Sequence, residues 1–188
     1  MGKGINRAEE FIKTGSYKTY YESVRKSFYC IFISHISVDK YQAKKIGDYL
    51  INAGFDIYLD INDGRLQTAV NNNDPLVITE CIQKGIDASS HILCLITDST
   101  NRSWWVPFEI GYGKKGLKQI ASIIFKDVDY LPEYLKVSQI LRGIKSLNEY
   151  LKRIKPSLSK ISGVITEDKI VEYTVSQHPL ENFIEWSK

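Results

Sequence analysis

Residues 91–113, HILCLITDSTNRSWWVPFEIGYG, hold an unbroken apolar run, a polar turn and the opening of a helix in immediate succession. His91 to Thr97 is apolar at consecutive positions and does not alternate, which is the mark of a strand covered on both faces in a parallel sheet. In open α/β sheets the ligand crevice lies outside the carboxyl ends of the strands. The helix that follows this strand therefore begins where a ligand would sit, and Glu109, four positions after Trp105, is a candidate catalytic carboxylate. Pro107 would clash with the carbonyl four residues earlier in a helix interior, so the first turn must lie near Trp104 to Pro107. That sets Glu109 close to the helix N-terminus, where the positive end of the dipole is expected to keep it ionised.

Upstream, the same alternation repeats. Phe28 to Ser34 (FYCIFIS) reads as a first strand, and Tyr41 to Ala53 carries Ile46, Tyr49, Leu50 and Ala53 at helical spacing. Gly54 is expected to cap that helix, after which Phe55 to Leu59 forms a second strand ending at Asp60. Residues Ile61 to Asp74 read as a long polar loop beside the crevice, either a lid or an idle connection. Pro75 opens a helix to about Ala88 with Asp74 as its N-cap.

Downstream, Gln119 to Phe125 supplies a fourth strand, Val128 to Leu135 a loop with a short helical turn, Val137 to Leu141 a short edge strand and Gly143 to Ile154 a closing helix. Four or five parallel strands with helices between them make a flavodoxin-like three-layer α/β sandwich. The chain divides into an N-terminal helical extension (1–27), this domain (28–155) and a C-terminal extension (156–188). Phe183, Ile184 and Trp186 of the last segment are expected to pack back on the domain.

Composition narrows the function. The 188 residues are 43% hydrophobic and 25% charged, values of a folded globular chain. A net charge of +3 with lysines dispersed among acids argues against a nucleic-acid surface. No run approaches the roughly 18 apolar residues of a membrane span. MGKGIN has Asn6 where the myristoylation pattern needs Ser or Thr, so neither membrane nor lipid anchor is expected and the cytosol is the default compartment. The three cysteines, Cys30, Cys81 and Cys94, read as reduced core residues. The three histidines share no ligand spacing, so no metal is expected.

With the element order set, four passages resemble the Toll/interleukin receptor (TIR) domain family, particularly its bacterial branch. They are Phe32-Ile33-Ser34-His35 at the end of the first strand, Gly54 to Asp60 (GFDIYLD), Cys81 to Asp98 (CIQKGIDASSHILCLITD), and Trp105-Val106-Pro107-Phe108-Glu109, which is similar to the W-x-x-x-E arrangement of NAD-cleaving members. The likeness spans about Phe28 to Ile154. Pro107 inside the motif is a departure, as is the region Ile61 to Asp74, which lacks the usual acidic-aromatic start and Pro-Gly pair.

The resemblance implies that Glu109 is the catalytic residue and that Trp105 shapes the nicotinamide end of a pocket. It implies NAD as substrate, with no separate cofactor. The extensions about a minimal core also resemble the TIR subunits of the Thoeris anti-phage system. Such a protein would convert NAD into a cyclic ADP-ribose signal read by a separate effector protein, with self-association between TIR domains a further expectation.

The chemistry suits these residues. Cleaving the nicotinamide N-glycosidic bond expels a neutral pyridine and leaves an oxocarbenium-like ribose, which one carboxylate can stabilise. Trp105 and Trp104 can face the nicotinamide cation or simply pack. Ser34 and His35, at a helix N-terminus, can approach a diphosphate or ribose, or cap the turn. Arg65 and Arg102 are either phosphate clamps or solvated loop residues. Two rivals stay open. One is a non-catalytic TIR adaptor. The other is a nucleoside deoxyribosyltransferase-like enzyme, whose E-x-G-x motif Glu109-Ile110-Gly111-Tyr112 resembles.

Overall fold

The computed structural model of the chain describes residues 3–9, 29–126, 128, 130–155 and 178–186. Five parallel strands form one sheet: β1 Cys30–Ser34, β2 Asp56–Tyr58, β3 His91–Ile96, β4 Gln119–Ile124 and β5 Gln139–Leu141, in the order β2-β1-β3-β4-β5. The helices are α1 Lys40–Asn52, α2 Gly64–Asn71, α3 Pro75–Asp87, α4 Trp105–Lys115 and α5 Ile144–Ile154. This is the doubly wound order whose direction of winding reverses between β1 and β3, so the crevice opens above those two strands.

Strand period sorts the core into two layers. Ile31, Ile33, Leu93, Leu95, Ala121 and Ile123 face α1 and α5, packing on Ile46, Leu50, Leu147 and Leu151. Their neighbours Cys30, Phe32, Ile92, Cys94, Ile96 and Ile124 face α3 and α4, packing on Ile82, Ile86, Val106 and Ile110. All residues of β1 and β3 are buried, which is why their sequences run apolar without alternating. The cysteines are free and buried in this core.

Helix ends follow their capping residues. Gly54 takes φ 82°, and α1 closes as Gly54 N–H donates to Ile51 O at 2.9 Å and Phe55 N–H to Leu50 O at 3.0 Å, a Schellman motif. The Asp74 side chain accepts from Val77 N–H at 3.1 Å and Pro75 fills the first helical position of α3. Helix α4 lies so close to the sheet that a Cβ on Gly113 would meet Ile92 Cδ1 at 2.1 Å.

One reading is corrected. The region Ile61 to Asp74 is not a polar loop: a 3-10 turn Asp60–Asn62 leads into α2. Asp63 caps that helix by accepting from Arg65 and Leu66 N–H, and Leu66 and Ala69 are buried against α3. Gly64 and the Asn71-Asn72-Asn73 run suggested a loop, yet they are the first helical position, the last one and the exit, where such residues belong.

Both flanks enter the core. Asn6 bridges to Ile57 beside β2. Arg7 is buried, donating to Asp56 at 2.8 and 3.1 Å and to Ala88 O at 2.8 Å. Residues 178–186 pack back as expected. Ile184 and Leu180 are fully buried, the Phe183 ring stacks on Phe125 at 5.4 Å, and Lys126 N–H and Ile144 N–H donate to Phe183 O and Glu185 O. The remaining N-terminal helical reading, 10–26, and residues 156–177 lie outside the described residues.

Candidate active site

Three chain segments converge above the β1–β3 switch. Ser34 ends β1, and the turn after it runs to Asp39, whose carboxylate accepts from Thr97 Oγ1 at 2.7 Å just past β3. Thr97 N–H in turn donates to Thr100 Oγ1 at 2.9 Å, which donates to Leu95 O at 3.2 Å. These bonds fix the two crevice loops against each other and set the position from which α4 begins.

Helix α4 starts at Trp105, with Pro107 inside its first turn as the sequence requires, and Ser103 Oγ accepts from Val106 N–H at 3.1 Å. Glu109, in the second turn, points inward. It is only 3% exposed, and Ser34 Oγ donates to its Oε2 at 2.5 Å. A cavity of about 530 Å³ opens beside Glu109, lined by His35, Lys40, Asp60, Arg102, Trp104 and Trp105 together with Glu109 and apolar side chains of the turn after β1, α2 and α3, whereas Ser34, expected to meet the substrate, is fully buried and does not line it. The acid therefore has a hollow beside it.

The ionisation expected of Glu109 is corrected. Burial pushes its pKa up from 4.5 to about 8, the Ser34 hydrogen bond pulls it down, and the charge of Asp60 raises it. Desolvation of a fully enclosed carboxyl outweighs a helix-terminal field that falls off within the first turn. At neutral pH burial therefore favours the neutral acid at Glu109.

The other sequence candidates divide. His35 lines the cavity, with Nδ1 3.3 Å from Ile33 O and 3.6 Å from Asp60 Oδ1. Trp105 is 37% exposed and meets Phe108 edge-on at 5.9 Å, so one ring surface stays open, while Trp104 stands 91% exposed at the rim. Arg102 lines the cavity. Arg65 does not: it sits on α2 and pairs with Glu80 of α3 at 2.9 Å. The N-terminus of α1, expected to receive a phosphate, already has the buried carboxylate of Asp39 in its approach.

Two charged residues were missed, Lys40 and Asp60, both of which line the cavity. The position of Asp60 at the carboxyl end of β2 was the signal that could have found it. Among the described residues no group of three or more His, Cys, Asp or Glu is arranged to hold a metal ion, and no helix is long and apolar enough to cross a membrane.

Comparison with known proteins matches residues 31–150 to the TIR domain family model. The chain is 26% identical over 120 residues to the "Probable 3' cyclic ADP-D-ribose synthase ThsB'" of Bacillus cereus (strain MSX-D12), an alignment covering 63% of this chain. The chain thus spans 58% of that relative's length.

Proposed function

Because the chain belongs to the TIR domain family, we propose that it cleaves the nicotinamide–ribose bond of NAD, with Glu109 as the catalytic carboxylate. The product in this reading is a cyclic ADP-ribose signal that a separate effector protein reads in anti-phage defence. The name of the Bacillus cereus relative supports the cyclic product. The observation that carries the reading is the enclosed acid: Glu109, 3% exposed, beside a cavity of about 530 Å³ and bonded to Ser34 at 2.5 Å.

The raised pKa of Glu109 gives the site a means of favouring the transition state. The buried acid gives up its proton to solvent as the nicotinamide cation enters the cavity, because the positive ring stabilises the carboxylate. As the C–N bond breaks, positive charge moves from the ring to the anomeric carbon and nicotinamide leaves neutral. Where bound substrate displaces water from around the acid, the attraction between carboxylate and sugar cation is far stronger than in water, and the fixed Ser34 hydroxyl holds the anion with little solvent reorganisation. The open ring surface of Trp105 suits the departing pyridinium, an attraction of about 0.5–2 kcal/mol. Arg102 and Lys40 supply positive charge on the cavity wall for a diphosphate.

The test is nicotinamide release from NAD by the purified protein and by protein recovered from phage-infected cells, measured by chromatography and mass. Glu109→Gln keeps the shape and the Ser34 acceptor but removes the charge, so release is expected to fall by more than about 10³-fold. Retained turnover in that variant refutes the role of Glu109, and exchange of bases between deoxynucleosides without nicotinamide release refutes the NAD reading.

A further inference from the structure

Glu109 shares its cavity with a second acid whose circumstances differ. Asp60 follows β2 at the start of a 3-10 turn, lines the cavity, and keeps a side chain 27% exposed. Its Oδ1 is shielded from solvent and accepts no hydrogen bond. The nearby His35 Nδ1 is 3.6 Å away, beyond hydrogen-bond reach. That nitrogen also lies 3.3 Å from Ile33 O, a carbonyl that can only accept, so the ring proton is already directed elsewhere. One oxygen of Asp60 is starved of donors, and the partly exposed side chain that carries it stands in the cavity wall.

A carboxylate short of donors is a poor anion and hence a good base. Burial raises the pKa of Asp60 first, with His35, the Ile61 backbone N–H and Lys40 pulling it down and Asp63 pushing it up. The proposed reaction has a use for such a group. Its first half needs only an anion facing the sugar cation, which Glu109 supplies. Its second half adds a hydroxyl to that cation, and this hydroxyl must shed a proton while the charge on Glu109 is still engaged.

We propose that Asp60 is the proton acceptor for the hydroxyl that takes the place of nicotinamide on the ribose, a role that rests on the NAD-cleaving function above. The C–N bond breaks and nicotinamide leaves with its electron pair. The hydroxyl oxygen, from water or from the substrate's other ribose, forms the new bond to the anomeric carbon. Its O–H bond breaks, and the proton passes to Asp60 and from there to solvent.

A pyridine nucleophile separates this role from every other. Its nitrogen attacks the same sugar cation but has no proton to lose, so exchange of nicotinamide for added 3-acetylpyridine needs no base. In Asp60→Asn the ratio of hydroxyl-captured product, linear or cyclic, to 3-acetylpyridine dinucleotide is expected to fall about 10²-fold, because any change in Glu109 ionisation acts on the bond cleavage common to both products and cancels in the ratio. Asp60→Ala with added formate is the second arm, and formate is expected to restore hydroxyl capture alone. An unchanged ratio in both variants overturns the proposal, as does parallel loss of both products in Asp60→Ala without rescue. A wild type that frees no nicotinamide overturns the parent function and this role with it, whereas a wild type that frees it beside an unchanged ratio overturns this role alone.

Discussion

Replacing Glu109 by Gln is expected to stabilise the protein, and to do so increasingly as pH rises. The carboxyl titrates at about 8 when folded against 4.5 as its reference value. Between those values the unfolded chain has released the proton while the folded chain still binds it, so stability falls with rising pH across this window. Stability lent by holding the group neutral is fully present below about pH 4.5 and is lost by the time pH has passed about 8. At about 1.36 kcal/mol per pH unit, the penalty carried by Glu109 is roughly 1 kcal/mol at pH 5, about 3 at pH 7 and close to 5 at pH 9.

Glutamine never ionises and still offers an oxygen to Ser34, so it escapes the penalty. Other titrating groups are common to both proteins and, apart from Asp60, whose charge couples to Glu109, cancel in the difference. The stability gap between Glu109→Gln and wild type, measured by urea melts, is expected to widen by about 4 kcal/mol from pH 5 to pH 9. In thermal melts that is roughly 8–16 °C for a chain of this size. A gap that stays constant across the range refutes a buried, high-pKa Glu109 and with it the charge-on-binding step of the proposed mechanism.

Ser34→Ala removes the donor that pulls the Glu109 pKa down, so nicotinamide release at pH 7 is expected to drop about ten- to a hundred-fold and to recover toward alkaline pH. An equal loss at every pH would mean that Ser34 does not act through Glu109 ionisation. Trp105→Ala is expected to raise the KM for NAD about 2- to 30-fold, while Arg65→Ala, whose charge is spent on exposed Glu80, leaves KM unchanged and costs at most about 1 kcal/mol of stability. Steady-state kinetics with the two results reversed would overturn the cavity assignment. Gly113→Ala drives a methyl into Ile92 Cδ1 and is expected to cost about 1–3 kcal/mol, an amount that Ile92→Val in the same chain partly restores. An unaltered Tm in Gly113→Ala would mean that α4 is free to back away from the sheet.

Much of this fold was legible because its strands and helices announce themselves by different periods. The continuous runs of β1 and β3, the Gly54 stop and the Asp74-Pro75 start each have one structural reading, and each was met. Glu109 was legible for a similar reason, since Pro107 fixes where α4 starts and the sheet fixes what lies beneath it. Helix α2 was hidden because eight residues that begin with Gly and end with Asn offer little pattern, and the Asp63 cap with Leu66 and Ala69 against α3 makes it helical. Arg65 could not be assigned from sequence: whether its charge reached the cavity depended on which way α2 turned, and α2 turned it toward Glu80. The protonation of Glu109 and the donor-starved oxygen of Asp60 are properties of enclosure, which arise only when distant segments close over them.

The insertion of Arg7 between Asp56 and Ala88, and of Ile184 beneath α5, bears on where this protein may be cut. A fragment trimmed to the 31–150 family span would strand Asp56 without its guanidinium, open a hollow where Leu180 and Ile184 had been and uncover the Phe125 ring. The span that the family model matches is shorter than the span packed into one core. Dissection experiments on this protein need to preserve the second.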